Sequence, residues 1–107
     1  MSVTKVAVFS DAESTLDNLL SPYCGYGPNT RWSWYSVTKI PLSNFQICDI
    51  CAFITESGQL FDAERFFWSG IYVNYEECKL FLQYMLRLYL DYAVSHKLSI
   101  NVVDCHT

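Results

Sequence analysis

Asp104, Cys105 and His106 stand in a row after the apolar run from Ile100 to Val103. A carboxylate, a thiol and an imidazole could make a cysteine nucleophile with its base, part of a metal site, or a grip on a ligand. Strand geometry separates these options. Neighbours on an extended strand point to opposite faces, so Cys105 turns away from His106 and a thiol–imidazole dyad fails while the strand stays straight. An adjacent carboxylate also raises a thiol from its ordinary pKa of ~8.5, where a nucleophile needs it lowered. Asp104 and His106 share one face with Leu98, Ile100 and Val102, two rises or roughly 6.6 Å apart. There the two can hold one group together, either a donor that pins a loop or a bound ligand. A small hydrolase working through His106 and Asp104, or through Cys105, is the catalytic alternative.

The aromatic stretch Arg31-Trp32-Ser33-Trp34-Tyr35 is the second place where composition suggests chemistry. Trp32 and Trp34 are two apart, which on a strand predicts one face and either a core wall or a stacking platform. Arg31 beside them supplies a cation for a planar ring. The candidate ligand-binding set is therefore Arg31, Trp32, Trp34, Tyr35 and Trp68, with Asp104 and His106 nearby. Cys48 and Cys51 form a C-x-x-C, but in a strand they point to opposite faces and cannot share a metal. Cys24, Cys105 and His106 are a weaker metal set that no spacing compels. The sequence contains no phosphate-cradling glycine loop, nucleophile elbow, H-E-x-x-H or EF-hand pattern, so no cofactor is expected.

These residues need elements to position them. Val3 to Phe9 reads as a strand. Ser10-Asp11-Ala12-Glu13 fits a capping box opening a helix through about Leu20, which Pro22 stops. The breaker-rich "SPYCGYGPNT" leads into "RWSWYSVTKI", a second strand. Two strand-like runs between Ile47 and Phe61 flank the hairpin signal Glu56-Ser57-Gly58. Phe66 to Val73 reads as another strand, with Gly70 at a bulge or a close backbone approach. Asn74 is a plausible N-cap for a helix to about His96, with Glu76 and Glu77 favouring its dipole. Leu98 to Cys105 is the last strand.

Counted at about 100° per residue, Cys78, Phe81, Leu82, Met85, Leu86, Leu88, Tyr89, Tyr92 and Ala93 fall on one apolar arc. The polar arc contains Leu80, Tyr84, Leu90 and Val94, which either loops cover or a homodimer or other partner does. The element order predicts a single α+β domain over residues 1–107. Its one mostly antiparallel sheet of four to six strands is packed by a long C-terminal helix and a short N-terminal helix.

Composition narrows the partners. Of 107 residues 51% are hydrophobic, 17% aromatic and 17% charged, which excludes a disordered tail and leaves aromatic surface for a partner. The net charge is −4 with no basic run, which argues against nucleic-acid binding through phosphates. The start, "MSVTKVAVFSD", reads as no signal peptide, and Gln83, Arg87 and Asp91 interrupt the longest apolar run, so no membrane span is expected. Five cysteines without a secretion signal suggest reduced thiols in a cytosol.

Several blocks resemble a family of small uncharacterised tailed-bacteriophage proteins, whose members carry L-x-P-Y, N-P-x-x-K-W-D-W-Y followed by G-G-R-W, an F-x-T-x-x-G-x-W hairpin, W-W-G and a C-terminal V-D-C-H-[IT]. The matching segments here are Leu20 to Tyr23, Gly27 to Tyr35, Phe53 to Gly58, Phe67 to Gly70 and Val102 to Thr107. Ser33 replaces the family's Asp, the G-G-R-W is absent after Tyr35, and Leu60 stands where a Trp is usual. The resemblance implies a phage accessory protein made in the cytoplasm of the infected bacterial host. By analogy its role would be to blunt a host defence, binding a defence protein or a nucleotide-like immune signal without catalysis. A hydrolase of such a signal, and a self-associating structural module, are the other expectations.

Overall fold

The computed structural model describes residues 3–28, 30–38, 47–70 and 74–107 of the chain. Strand β1 (Val3–Ser10) is the middle of a sheet and is the run of alternating β-branched and apolar residues that its sequence suggests. It pairs along its whole length with antiparallel β5 (Ser99–His106) and on the other side with parallel β3 (Ile50–Ile54). Strand β2 (Trp34–Thr38) extends the sheet beyond β5, and β4 (Leu60–Asp62) extends it beyond β3. The order is β2-β5-β1-β3-β4, so three of the four pairings are antiparallel. The expected α+β class with a mostly antiparallel sheet holds.

The sheet is buried on both faces, and the alternation along β1 and β5 divides its residues between them. Ala7, Phe9 and Val102 meet Cys78, Leu82, Leu86 and Ala93 of α3 (Tyr75–Ser95). Val6, Val8, Val103 and Cys105 point the other way, onto Leu19 and Leu20 of α1 (Leu16–Leu20) and onto Trp32. Helix α3 begins as its sequence suggests: the Asn74 side chain accepts from the Glu77 N–H at 2.9 Å. It ends at the His96 cap, and the next residue, Lys97, takes the left-handed φ of 55° usually left to glycine.

Two elements differ from the sequence reading. Ser10 does not open a helix, because β1 runs through it and pairs it with Ser99. Asp11 instead folds a turn, its carboxylate accepting from the N–H groups of Glu13 and Ser14, and Thr15 caps α1 by accepting from the Asn18 N–H at 3.2 Å. The segment Phe66 to Trp68 is helical rather than extended, inside α2 (Ala63–Trp68). Asp62 caps it, Glu64 sits in its first turn, and Gly70 follows at a φ of 75°. The aromatics favour a strand, but Phe66 gains more by packing edge-on against Phe81 of α3. Ile71 to Val73 of the expected strand, and Lys39 and Ile40 of the second one, lie outside the described residues.

The hairpin at Glu56-Ser57-Gly58 is present between β3 and β4, and Gly58 supplies its φ of 89°. Before it, Ile47–Asp49 form a short 3-10 turn, so Cys48 is not on a strand as the C-x-x-C reading supposed. Its side chain lies outside what is described.

Candidate functional site

Strand register decides which of the candidate residues meet. Residues directly opposite in an antiparallel pair share a face. Trp34 lies opposite His106 and Ser36 opposite Asp104, while Val3 and Lys5 flank the same two positions from β1. The result is a patch at one end of the α3 face of the sheet. The Trp34 and His106 rings are stacked, with centroids 3.7 Å apart and planes 4° from parallel. Trp34 is nevertheless 46% exposed, so a large part of the indole is open to solvent. The His106 Nε2 lies 3.2 Å from Ser36 Oγ, and Lys5 Nζ lies 3.2 Å from Asp104 Oδ1. The Ser33 N–H donates to the His106 carbonyl at 2.7 Å, which anchors the entry to β2 against the end of β5.

Asp104 and His106 therefore look the same way, and Trp34 joins them. Trp32 does not. It precedes β2, pairs in an isolated bridge with Cys24, and is 1% exposed among Leu20, Val103 and Cys105 on the opposite face. The assumption that two tryptophans two apart share a face fails because β2 begins only at Trp34. The buried Trp32 indole N–H has no hydrogen-bond partner among the described residues. Tyr35 also points to the far face, where its hydroxyl donates to Asp17 at 2.7 Å. That bond, with burial second, pushes the Tyr35 hydroxyl up to about 12.

Arg31 is occupied elsewhere. Its Nε donates to Asp62 at 2.7 Å and its Nη2 to Glu64 at 2.6 Å, while its guanidinium stands 5.1 Å from the Trp32 ring and 5.3 Å from the Trp68 ring. Asp62 is buried and caps α2 with its other oxygen, accepting from the Glu64 N–H. Arg31 thus clamps the loop before β2 to β4 and α2, with its charge already met by two carboxylates. Trp68 is 64% exposed and belongs with this clamp, not with His106.

Cys105 is fully buried on the Trp32 face and shares a hydrogen bond with the half-buried Cys24. That bond, then burial, pushes the Cys105 thiol up, and the bond lowers Cys24. The negative charge of Asp104 adds to the rise at Cys105, in the direction its position in the sequence suggests. A thiol so held is protonated at neutral pH and is a poor nucleophile. Among the described residues no three histidine, cysteine or carboxylate side chains converge as metal ligands would.

Sequence reasoning missed Ser36 and Lys5. Ser36 sits two residues after Trp34, a spacing that places it on the same face once β2 is known to start there. Lys5 is the polar position on the face of β1 that Ala7 and Phe9 make apolar. Of the four interface candidates on α3, Leu80, Tyr84 and Val94 are exposed, so no loop among the described residues covers them. Leu90 differs from these three: it is half-buried and packs against the core beneath α3. Among the described residues no helix is long and apolar enough to cross a membrane.

No protein-family model, curated protein or solved structure matches the chain.

Proposed function

We propose that this chain acts by binding, as a bacteriophage accessory protein that counters a bacterial defence in the cytoplasm of the infected host. Its target is a nucleotide-like immune signal held at the Trp34–His106 patch, or a defence protein that presents a comparable planar group there. One observation carries the reading: an indole stacked on an imidazole, half open to solvent, with a hydroxyl, an ammonium and a carboxylate within the same patch. The open indole face offers stacking area for a base, and Ser36, Lys5 and Asp104 offer the polar contacts that orient it.

The patch supports a second reading because Ser36 Oγ lies within hydrogen-bond reach of an imidazole nitrogen. With His106 as base, Ser36 is the nucleophile of a small hydrolase. Trp34 then serves as the ring that holds the base of the substrate.

One experiment addresses both. The protein is titrated calorimetrically with cyclic dinucleotides and ADP-ribose derivatives, and the same mixtures are followed for product. Binding without turnover, weakened at least about tenfold by Trp34→Ala and unchanged by Trp68→Ala, supports the binding reading. Turnover that survives chelator and disappears in both Ser36→Ala and His106→Ala replaces it with the hydrolase. Silence across the panel, together with no host protein retained in a pull-down, removes both.

A further inference from the structure

Cys24 and Cys105 are far apart in the chain and meet on the α1 face of the sheet. Cys105 is fully buried in β5, opposite Tyr35 of β2. Cys24 lies in the connection between α1 and β2, half-buried against the same cluster that holds Leu20, Trp32 and Val103. Backbone bonds fix that connection on both sides of the pair. The Cys24 N–H donates to the Leu20 carbonyl at 3.0 Å and the Gly25 N–H to the Trp32 carbonyl at 2.8 Å. The Ser33 N–H bond to the His106 carbonyl then ties the same connection to the residue after Cys105. The fold thus brings the two thiols together, and a hydrogen bond joins them.

The two sulfurs are not equivalent. Their bond lowers Cys24 and raises Cys105, as when the Cys105 S–H donates to the Cys24 sulfur. Cys24 is partly open to solvent, and a thiolate there is what attack on a soluble oxidant needs. Cys105 has no exposed surface, so an oxidant meets Cys24 first. An accessible thiol poised beside a second, resolving thiol oxidises to a disulfide before it reaches the irreversible acids. The other described thiols have different surroundings: Cys78 is buried on the opposite face of the sheet, and Cys51 bonds to the Tyr75 hydroxyl.

We propose that Cys24 and Cys105 form a peroxide-sensitive pair that closes to a disulfide, cross-linking the α1–β2 connection to the strand that carries Asp104 and His106. The Cys24 thiolate attacks one oxygen of a hydroperoxide and the O–O bond breaks. The other oxygen takes the Cys24 proton and leaves as water or an alcohol. The Cys105 sulfur then attacks the Cys24 sulfenic acid: the S–S bond forms, the S–O bond breaks, and the Cys105 proton departs with the hydroxide as water. Each sulfur is oxidised by one electron, and the peroxide takes up both. This inference stands apart from the ligand reading at Trp34, which lies on the other face of the sheet.

The test treats the reduced, folded full chain with about two equivalents of hydrogen peroxide, followed by alkylation in denaturant and tryptic digestion. Free thiols should fall from five to three, and a dithiothreitol-sensitive peptide should join residues 6–31 to residues 98–107, each of which contains one cysteine. The oxidised chain should have the higher urea midpoint, because the bond closes a long loop of the unfolded chain. Cys24→Ser should slow thiol loss at least about tenfold and leave Cys105 free. Cys105→Ala should stop at a sulfenic acid on Cys24, captured by dimedone. Because replacing a buried thiol can unfold the chain, the half-buried Cys24→Ser is the deciding variant. A cross-link between Cys48 and Cys51 with Cys24 and Cys105 left free overturns the inference. So do a bond between two chains, an oxidised Cys24 beside a free Cys105, and thiols that resist peroxide until the chain unfolds.

Discussion

Arg31 shows how a residue suited to ligand binding can be taken by the fold. Its guanidinium meets one buried and one half-exposed carboxylate and lies near two indoles, so its charge is matched within the fold before any ligand arrives. Removing one partner of a buried ion pair leaves the other charge uncompensated, and such losses are large. Arg31→Ala is therefore expected to lower stability by about 3–5 kcal/mol, read as a shift of the urea midpoint. Arg31→Lys, which cannot span both carboxylates in one plane, should fall between. Ligand affinity at Trp34 should be unchanged in the folded fraction of either variant, since no contact among the described residues joins Arg31 to that patch.

Among the elements, α3 is the one whose limits are written most plainly in the chain. Asn74 satisfies a free N–H of the first turn, and the apolar arc at helical spacing buries Cys78, Leu82, Leu86 and Ala93. Asn74→Ala removes that cap and should cost about 1 kcal/mol, measured by chemical denaturation. Helix α2 makes the opposite point. Its capping residue Asp62 and its terminating Gly70 are both visible in the sequence, yet the aromatic run between them reads as a strand until α3 is placed beside it. There the Asp62 cap outweighs the β propensity of Phe66, Phe67 and Trp68.

For the molecule as a whole, tyrosines tie the layers together and set an alkaline limit. Tyr35 joins β2 to α1 through Asp17, and Tyr89 joins α3 to the β3–β4 turn through Glu56. The Tyr35 hydroxyl is held up to about 12 by its bond to Asp17, and Tyr89 is raised first by burial and then by Glu56. A group whose pKa is raised on folding contributes stability that is complete below its unfolded value, about 10 for tyrosine, and is lost as pH climbs through the folded value. The denaturant midpoint should therefore stay level toward pH 10 and fall as pH rises toward about 12. Tyr35→Phe should lower stability at neutral pH and make that alkaline fall shallower. The net charge of −4 grows more negative over the same range and adds self-repulsion.

By itself the sequence determined the α+β class, the two central strands, the hairpin at Gly58, the start of α3, and the shared face of Asp104 and His106. Each follows from a local rule: side-chain period, a capping side chain, or a residue that alone tolerates a turn's backbone. Only the tertiary structure decided which aromatics those two side chains would meet. That choice depends on where β2 begins and on its register with β5, and a one-residue shift of either exchanges the faces of the sheet. Trp34 thus came to lie on His106, Trp32 was sent into the opposite core, and Ser36 and Lys5, unremarkable in the chain, were brought to the patch by pairing with β5.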